Sequence, residues 1–296
     1  MNPLSLEAPA KLNLSLRVVG RREDGFHLLE TEMVLLELAD RLLLMPGAPG
    51  LRVEAGPDAP RLDAAIPLDP RNLAWRGLVA GQGREPDSLC LALDKRIPTA
   101  AGLGGGSSDA AAGWRLGRVA AGRPEVATDA DLVALATIGA DVPFFAARCA
   151  AAAVAGVGER VTPIDAPERL RHVVLVFPGF RLSTAEVFAE LRPADLGHPD
   201  PAPGHNDLLA PALRLRPALA EVMRRVAHAG AEPRLTGSGS TLFVLGDDPE
   251  QAAGVAAQLR GDGLHVTETR LRSEAASVAE LTDPPNDAGA SRLGMG

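Results

Sequence analysis

The segment Lys95-Arg-Ile-Pro-Thr-Ala-Ala-Gly-Leu-Gly-Gly-Gly-Ser-Ser-Asp-Ala-Ala-Ala112 carries the strongest local signal in the chain. Its four glycines, at positions 102, 104, 105 and 106, let the backbone turn N–H groups toward a ligand, because no Cβ opposes close approach. Ser107, Ser108 and Asp109 are types that cap helix N-termini, and the following alanines favour a helix. A helix N-terminus adds unpaired N–H groups and a partial positive charge. The segment therefore predicts a site for a nucleotide or another phosphate.

Three better-known glycine loops do not fit this segment. A P-loop ends in Gly-Lys-Ser/Thr, whereas Gly106-Ser107-Ser108 stands here. The dinucleotide fingerprint needs a glycine at position 107, and no first βαβ unit with an acidic residue at its second strand is evident. The protein-kinase loop lies between two strands and needs His-Arg-Asp and Asp-Phe-Gly partners, which this sequence lacks. A linker or a helix-packing turn is the structural alternative, but an alternating strand precedes the loop and a well-capped helix follows it.

Length and composition limit the functional classes. The 296 residues suffice for two domains of ordinary size. A net charge of −8 argues against sequence-independent nucleic-acid binding, which depends on basic patches. No apolar run is long enough to span a membrane, and residues 1–10 lack the features of a secretory signal. Cys90 and Cys149 stand in apolar contexts typical of buried free thiols, with a disulfide or metal site as the less favoured reading. We expect a cytoplasmic protein without nucleic-acid or membrane partners.

The pattern along the chain predicts an α+β protein of two domains and a tail. Strands are predicted at 11–19, 33–38, 41–45, 51–55, 89–96 and within 149–157, and helices at 72–81, from the glycine loop to about 121, and at 129–138. After a junction at 163–169, a smaller unit follows with the order strand, helix, helix, strand, helix, strand (172–177, 184–191, 217–229, 242–245, 249–259 and 264–270). We place the domains at 1–165 and 166–283 and expect 284–296 to be a disordered tail.

Four motifs, in order, resemble those of the GHMP kinase superfamily of small-molecule kinases. They are Ala8-Pro-Ala-Lys-Leu-Asn-Leu14, the glycine loop from Pro98 to Ser108, Ile138-Gly-Ala-Asp-Val-Pro-Phe-Phe145 and Leu235-Thr-Gly-Ser-Gly-Ser-Thr241. Three segments, Arg22-Glu-Asp-Gly-Phe-His27, Gly139-Ala-Asp-Val-Pro143 and Val157-Gly-Glu159, resemble the branch whose substrate is 4-diphosphocytidyl-2-C-methyl-D-erythritol. The resemblance implies a ribosomal-S5-like N-terminal domain, a ferredoxin-like α+β C-terminal domain, ATP with Mg²⁺ as cofactors, and a monomer or homodimer.

The resemblance also implies a catalytic pair. Asp141 would accept the proton of the acceptor hydroxyl, and Lys11 would keep that carboxylate ionised and stabilise the developing alkoxide. Residue type alone would favour a turn or cap aspartate for Asp141 and a solvated surface lysine for Lys11. Asn13 is expected on the same strand face as Lys11, either as a site residue or as a satisfied strand asparagine.

The remaining candidates divide between nucleotide and substrate. The nucleotide group consists of Pro98, Gly102, Leu103, Gly104, Gly105, Gly106, Ser107 and Ser108, with Asn72 near the adenine by analogy and Ser108 as an aid in placing Mg²⁺; no metal ligand is assigned. The substrate group consists of Asn13, Phe26, His27, Thr184, Phe188, Gly237, Ser238 and Gly239. In it, the resemblance implies that Phe26 and His27 would receive the cytosine by stacking and hydrogen bonding.

Simpler roles stay open for several of these residues. Tyr is commoner than Phe at position 26 of that branch, a change that keeps the stacking and loses a phenolic hydrogen bond. Phe188 shares a helix face with Thr184 and is equally a core residue. His27 is otherwise a turn histidine, and Gly237–Gly239 a hairpin turn. Another GHMP kinase, for homoserine, mevalonate or a sugar, and a silent nucleotide-binding protein remain alternatives, although the presence of both Lys11 and Asp141 argues against the silent protein.

Overall fold

The computed structural model describes residues 1–55, 66–169, 171–196 and 204–281. The strands are β1 (Leu4–Arg21), β2 (His27–Pro46), β3 (Gly50–Ala55), β4 (Leu89–Lys95), β5 (Ala151–Gly156), β6 (Arg160–Pro163), β7 (His172–Phe177), β8 (Arg234–Leu235), β9 (Leu242–Gly246), β10 (His265–Arg270) and β11 (Ala279–Glu280). The α-helices are α1 (Leu73–Gln82), α2 (Gly105–Ala120), α3 (Asp129–Ala136), α4 (Val142–Ala146), α5 (Thr184–Ala189), α6 (Leu209–Leu215), α7 (Ala218–His228) and α8 (Pro249–Gly261). Within these ranges no helix combines the length and apolarity that crossing a membrane requires. The tail predicted at 284–296 lies outside the described residues.

A long antiparallel hairpin organises the first sheet. β1 pairs with β2 along most of its length, and register shifts between Pro9 and Lys11 and between Asn13 and Ser15 interrupt the pairing. β2 has two further partners: its first half pairs with β5, and its second half pairs with β4. β3 adds parallel to β4, β6 pairs with β5, and β11 pairs with the start of β1.

The sequence prediction of two short strands at 33–38 and 41–45 was wrong. One strand runs from His27 to Pro46, and Asp40, which reads as a break between apolar runs, is fully buried within it beside Lys95. A buried ion pair can thus keep a charged residue inside a strand. β1 likewise begins at Leu4 rather than at Lys11. Pro9 lies inside the paired strand, although a proline normally argues against a strand interior.

Helices α1 and α2 pack together unusually closely. A Cβ on Gly77 would lie 1.9 Å from the carbonyl oxygen of Ala110, and one on Gly81 would lie 2.0 Å from that of Trp114. Only glycine permits this approach, because Cβ atoms do not come that near to backbone oxygens. The contact fixes the position of α2, whose first turn carries the glycine loop.

The second domain (β7–β10 and α5–α8) is an antiparallel sheet with the order β10-β7-β9-β8. One face packs against α7 and α8, with Val174, Val244 and Leu259 in the shared core. The other face packs against the first domain (β1–β6 and α1–α4), where Leu175 and Phe243 meet residues of β1 and β2. The α+β architecture is confirmed. Helix α6 and the short strand β8 were not predicted, because each is too short to show a periodicity.

The chain returns to the first domain after β10. Leu271 forms a bridge with Leu36, and Arg272 donates to the Leu36 carbonyl oxygen at 2.8 Å. Ala276 and Val278 then pack on the core beneath α1 and α2, just before β11 joins the first sheet. Residues 271–281 therefore contact the first domain, although the proposed border assigns them to the second.

Candidate active site

A cleft of about 740 Å³ lies where the glycine loop, β1 and the second domain meet. Most of the candidate residues line it: Lys11, Asn13, Asn72, Pro98, Gly102, Leu103, Gly104, Gly105, Gly106, Ser107, Asp141, Thr184, Phe188, Gly237 and Ser238. Phe26, His27, Ser108 and Gly239 do not. The fold thus brings residues from both domains, and from positions far apart in sequence, to one cavity.

The glycine loop ends in a helix N-terminus that opens on this cleft. Gly104 is the N-cap residue of α2, with φ of 70°, and the Ser108 N–H donates to the Gly104 carbonyl oxygen at 2.9 Å. The N–H groups of Gly105, Gly106 and Ser107 precede this first intrahelical bond, so they are available to an anion. The predicted cap was wrong, since Ser107 and Ser108 lie inside the first turn. A glycine takes the cap because the backbone there is left-handed.

Ser108 points away from the cleft. Its side chain is buried, and its hydroxyl oxygen has no hydrogen-bond partner among the described residues.

Asn72 lines the cleft, but its side chain is already engaged in capping α1. Its amide oxygen accepts from the Ala74 N–H at 2.9 Å, and its amide nitrogen donates to the Pro67 carbonyl oxygen at 2.8 Å. The cap explains why this residue type starts the helix.

Lys11 and Asp141 meet at the floor of the cleft. Lys11 Nζ lies 3.5 Å from Asp141 Oδ2, and the side chain of Lys11 is only 4% exposed whereas that of Asp141 is 29% exposed. Asp141 stands at the N-cap position of α4, yet its side chain makes no capping bond. Its carboxylate is therefore directed at a buried cation and remains accessible from the cleft. This is a suitable arrangement for taking up a proton from a bound hydroxyl group.

Asn13 and the glycine-containing motif Leu235–Thr241 complete the surroundings of Lys11. Lys11 Nζ donates to Asn13 Oδ1 at 2.5 Å, which confirms that the two side chains share a strand face. The Asn13 N–H donates to Thr236 Oγ1 at 3.1 Å. Gly237 is so close that a Cβ on it would lie 3.4 Å from Lys11 Nζ. The second domain therefore closes one side of the Lys11 site.

Asn206 is a structural residue of the site that sequence reasoning missed. Its amide nitrogen donates to the carbonyl oxygens of Leu235 and Gly237, both at 2.9 Å, and its amide oxygen accepts from the Leu208 N–H. Its amide nitrogen thus holds the Leu235–Thr241 motif, while its amide oxygen binds the chain just before α6. The available signal was the polar run His205-Asn206-Asp207 immediately before the apolar start of α6.

A buried charged cluster beneath the glycine loop was also missed. Lys95 Nζ contacts Asp40 Oδ2 and donates to Asp109 Oδ2 at 2.8 Å, and the three side chains are at most 6% exposed. Asp40 Oδ1 accepts from the backbone N–H groups of Arg96 and Ile97, at 2.6 and 2.8 Å. The cluster therefore ties the end of β4 to β2 and to the first turn of α2. The available signal was a lysine at the end of a strand whose first five residues are apolar.

Burial governs the protonation of this cluster. It raises the pKa of Asp109 to about 8, against the opposing effect of Lys95. Burial alone would lower the pKa of Lys95, but the charges of Asp109 and Asp40 hold it above its usual value. A proton on Asp109 leaves one ammonium facing one carboxylate, so the cluster carries no net charge.

The predicted cytosine-binding pair lies at the tip of the β1–β2 hairpin. Phe26 is 62% exposed, and the Arg22 guanidinium lies 5.7 Å from its ring centroid. The His27 ring stacks on Phe188 of α5, with centroids 4.9 Å apart and planes at 26°. Burial, and then the charge of Arg21, lower the pKa of His27, so its ring is neutral at physiological pH. His27 and Phe188 thus form an aromatic contact between the two domains.

The segment Val157-Gly158-Glu159 packs against the turn that carries Asp141. Gly158 has φ of 109°, and a Cβ on it would lie 2.0 Å from the Ala140 carbonyl oxygen. We expect Gly158→Ala to reduce turnover by about 100-fold, because a displacement of roughly 1 Å at a reacting group can have that effect. Steady-state kinetics with ATP measures it.

Gly122→Ala is the matched control for this change. Gly122 also has a positive φ, 67°, but a Cβ there would meet nothing within 4 Å. The control should lose some stability and keep its turnover. Equal turnover in the two variants would contradict a role of Gly158 in placing Asp141.

Comparison with known proteins agrees with this geometry. Residues 72–148 match the family model described as the GHMP kinases N terminal domain, and residues 186–263 match that of the GHMP kinases C terminal. The chain is 40% identical over 273 residues to the 4-diphosphocytidyl-2-C-methyl-D-erythritol kinase of Thermus thermophilus, a match that covers 86% of this chain and 92% of the relative. The chain belongs to the 4-diphosphocytidyl-2-C-methyl-D-erythritol kinase family of GHMP kinases. It is accordingly an ATP-dependent small-molecule kinase.

Two further members of this kinase family support the assignment. The enzyme of Deinococcus radiodurans is 39% identical over 292 residues, which cover 90% of this chain and 92% of the relative. A crystal structure of 4-(cytidine 5'-diphospho)-2C-methyl-D-erythritol kinase superposes with a TM-score of 0.72 at 37% identity, covering 90% of this chain and 98% of that one. The resemblance found in the sequence motifs is thereby confirmed over nearly the whole chain.

The residues that line the cleft suit a nucleoside triphosphate. The unpaired N–H groups at the start of α2 and the Lys11 ammonium face one cleft, and both favour phosphate oxygens. Among the described residues no group of three His, Cys, Asp or Glu side chains could enclose a metal ion. Asp141 is the carboxylate nearest the Lys11 ammonium in that cleft.

Proposed function

We propose that this kinase transfers the γ-phosphoryl group of ATP to the 2-hydroxyl of 4-diphosphocytidyl-2-C-methyl-D-erythritol, a step of the non-mevalonate pathway to isoprenoid precursors. The observation that carries the proposal is the contact between Lys11 and Asp141 at 3.5 Å, in a cleft that the glycine loop also lines. The substrate is inferred from the relatives, which share about 40% of their residues with this chain.

Each residue group has one role in the proposed reaction. The N–H groups of Gly105, Gly106 and Ser107 bind and orient the triphosphate. Asp141 Oδ2 accepts the proton of the acceptor hydroxyl, and Lys11 stabilises the negative charge that develops on its oxygen. ATP supplies the phosphoryl group, and Mg²⁺ neutralises charge on the phosphates. Positioning and charge compensation are the main sources of rate enhancement in phosphoryl transfer.

The substrate side of the proposal uses both domains. Phe188 lines the cleft and offers its ring to the cytosine, with His27 stacked on it at 4.9 Å. A neutral histidine presents one donor and one acceptor, which suits the amino and carbonyl edge of cytosine. The hydroxyl groups of Thr184 and Ser238 lie 2.9 Å apart at the same cleft, where they can bind the polyol or its phosphates.

We further propose that the protein works in the cytoplasm on this small molecule alone, as a monomer or homodimer. Its net charge of −8 opposes binding to nucleic acid. Both cysteines, Cys90 and Cys149, are free thiols, as expected in a reducing compartment.

The test is the release of ADP by the purified protein with Mg-ATP and each of three acceptors: 4-diphosphocytidyl-2-C-methyl-D-erythritol, homoserine and mevalonate. We expect release with the cytidyl acceptor only. CMP should also raise the thermal unfolding midpoint, because it would fill the cytosine site. Release with another acceptor would keep the kinase assignment and overturn the substrate. No release with any acceptor would favour a silent nucleotide-binding protein.

A further inference from the structure

We propose that Thr31 is a positioning residue for phosphoryl transfer: its hydroxyl fixes the amide of Asn13, which in turn holds the Lys11 ammonium against Asp141. Thr31 lies on β2, is 5% exposed and does not line the cleft, so it acts through its neighbours rather than on a ligand. The inference rests on the proposed function of Lys11 and Asp141. It extends that function to a residue that reaches Lys11 only through Asn13.

Three hydrogen bonds and one ion pair connect the Ser15 carbonyl group to Asp141. Thr31 Oγ1 donates to the Ser15 carbonyl oxygen at 2.5 Å and accepts from Asn13 Nδ2 at 2.8 Å. Asn13 Oδ1 accepts from Lys11 Nζ at 2.5 Å, and Lys11 Nζ reaches Asp141 Oδ2 at 3.5 Å. This series of contacts begins where the register of β1 against β2 shifts, between Asn13 and Ser15.

The direction of the bonds follows from the chemistry of the groups. A carbonyl oxygen only accepts, so the single hydroxyl proton of Thr31 is used on Ser15 and its oxygen must accept from Asn13. The amide nitrogen of Asn13 therefore faces Thr31, and its oxygen must face Lys11. An ammonium only donates, so this is the sole amide orientation that satisfies both neighbours.

The orientation of the Asn13 amide matters because Asn13 and Lys11 are both buried. Lys11 and Asn13 are each 3% exposed, so water does not readily replace a lost partner. An ammonium has three N–H groups. Asn13 Oδ1 accepts one of them and a second can face Asp141 Oδ2 at 3.5 Å, which leaves the third for a phosphate or alkoxide oxygen. Without the Thr31 hydroxyl, the Asn13 amide loses the bond that selects its orientation, and the direction of the third N–H group becomes variable.

The test compares Thr31→Val, which removes the hydroxyl at nearly constant volume, with Thr31→Ser, which keeps it. We expect Thr31→Val to lower kcat by roughly 10- to 100-fold with KM for both substrates changed less than about threefold, because a small misplacement of a catalytic group affects the transition state most. Thr31→Ser should recover most of the turnover. If Thr31→Val does not fold, Thr31→Ala replaces it in the same comparison.

Two further measurements separate positioning from general destabilisation. Thr269 is a half-buried strand threonine whose Oγ1 accepts from the Leu38 N–H at 3.0 Å, and Thr269→Val should lose stability while keeping kcat. In an Asn13→Ala background, Thr31→Val should have no additional effect on kcat, since its path to Lys11 is already broken. Additive losses of kcat would overturn the inference.

The variant Lys11→Met distinguishes this inference from the proposed function. Loss of turnover in Lys11→Met together with normal turnover in Thr31→Val would overturn only the role of Thr31. Normal turnover in Lys11→Met would overturn the catalytic assignment of Lys11 and, with it, the role of Thr31. Loss of kcat in Lys11→Met and in Thr31→Val, with recovery in Thr31→Ser, would establish both.

Discussion

Asp141→Asn is expected to lower kcat by about 10²- to 10⁴-fold, the range over which a positioned general base acts. Asparagine has nearly the same shape but cannot take up the proton of the acceptor hydroxyl. The binding of a non-hydrolysable ATP analogue should stay within about twofold of the wild type, because the phosphates bind to the glycine loop and α2. Steady-state ADP release and isothermal titration calorimetry measure the two quantities.

The stability of this variant is an additional check. Asp141 occupies an N-cap position without making a capping bond, so no helix cap is lost, but the buried Lys11 ammonium loses its charged partner and the unfolding midpoint should fall. Asp248→Asn is the matched control: Asp248 caps α8 and accepts from the Glu250 N–H at 2.8 Å, a bond that asparagine can also accept. It should be fully active. Asp141→Asn with a turnover within a factor of ten of wild type would remove Asp141 from the role of base.

Lys95→Met is expected to produce the largest loss of stability, about 3–5 kcal/mol in the free energy of unfolding. The methionine fills similar space but leaves Asp40, which is fully buried, without its cation. A buried charge without a partner costs far more than the pair itself contributes. Urea-induced unfolding measures the change, with the fluorescence of Trp75 and Trp114 as the signal, since both lie on helices that cover the first sheet.

The adjacent residue provides the control for Lys95. The side chain of Arg96 pairs with Asp94 at 2.8 Å, and the two are 49% and 33% exposed. Arg96→Met should therefore cost less than about 1 kcal/mol. It leaves intact the backbone bond from Arg96 to Asp40. Similar losses in the two variants would mean that the buried carboxylate of Asp40 does not depend on the Lys95 ammonium.

Several features of the fold were predictable because they depend on local pattern. The α+β architecture followed from the spacing of apolar runs. The shared strand face of Lys11 and Asn13 followed from the two-residue period of a strand. The turn of the glycine loop and the helix that follows it were predictable because their residues are contiguous.

Other features were not predictable because their partners are distant in sequence. Asp40 reads as a strand break until Lys95 is known to lie beside it. Ser107 and Ser108 read as caps, but the left-handed backbone at Gly104 starts the helix earlier. Asn206 and Thr31 are ordinary polar residues by type, and only their bonds to Gly237 and Asn13 give them a place in the site.

The sequence by itself determined the secondary structure of the glycine loop and its helix, the composition of the two domains and the residue types available for catalysis, since these depend on neighbours along the chain. The tertiary structure alone decided that Lys11 and Asp141 meet at 3.5 Å, that Ser108 faces the interior, and that His27 stacks on Phe188 across the domains. Those contacts join residues more than a hundred positions apart or select one face of a helix. They are set by packing of the whole chain, which balances many weak burial and hydrogen-bond energies that no local pattern records.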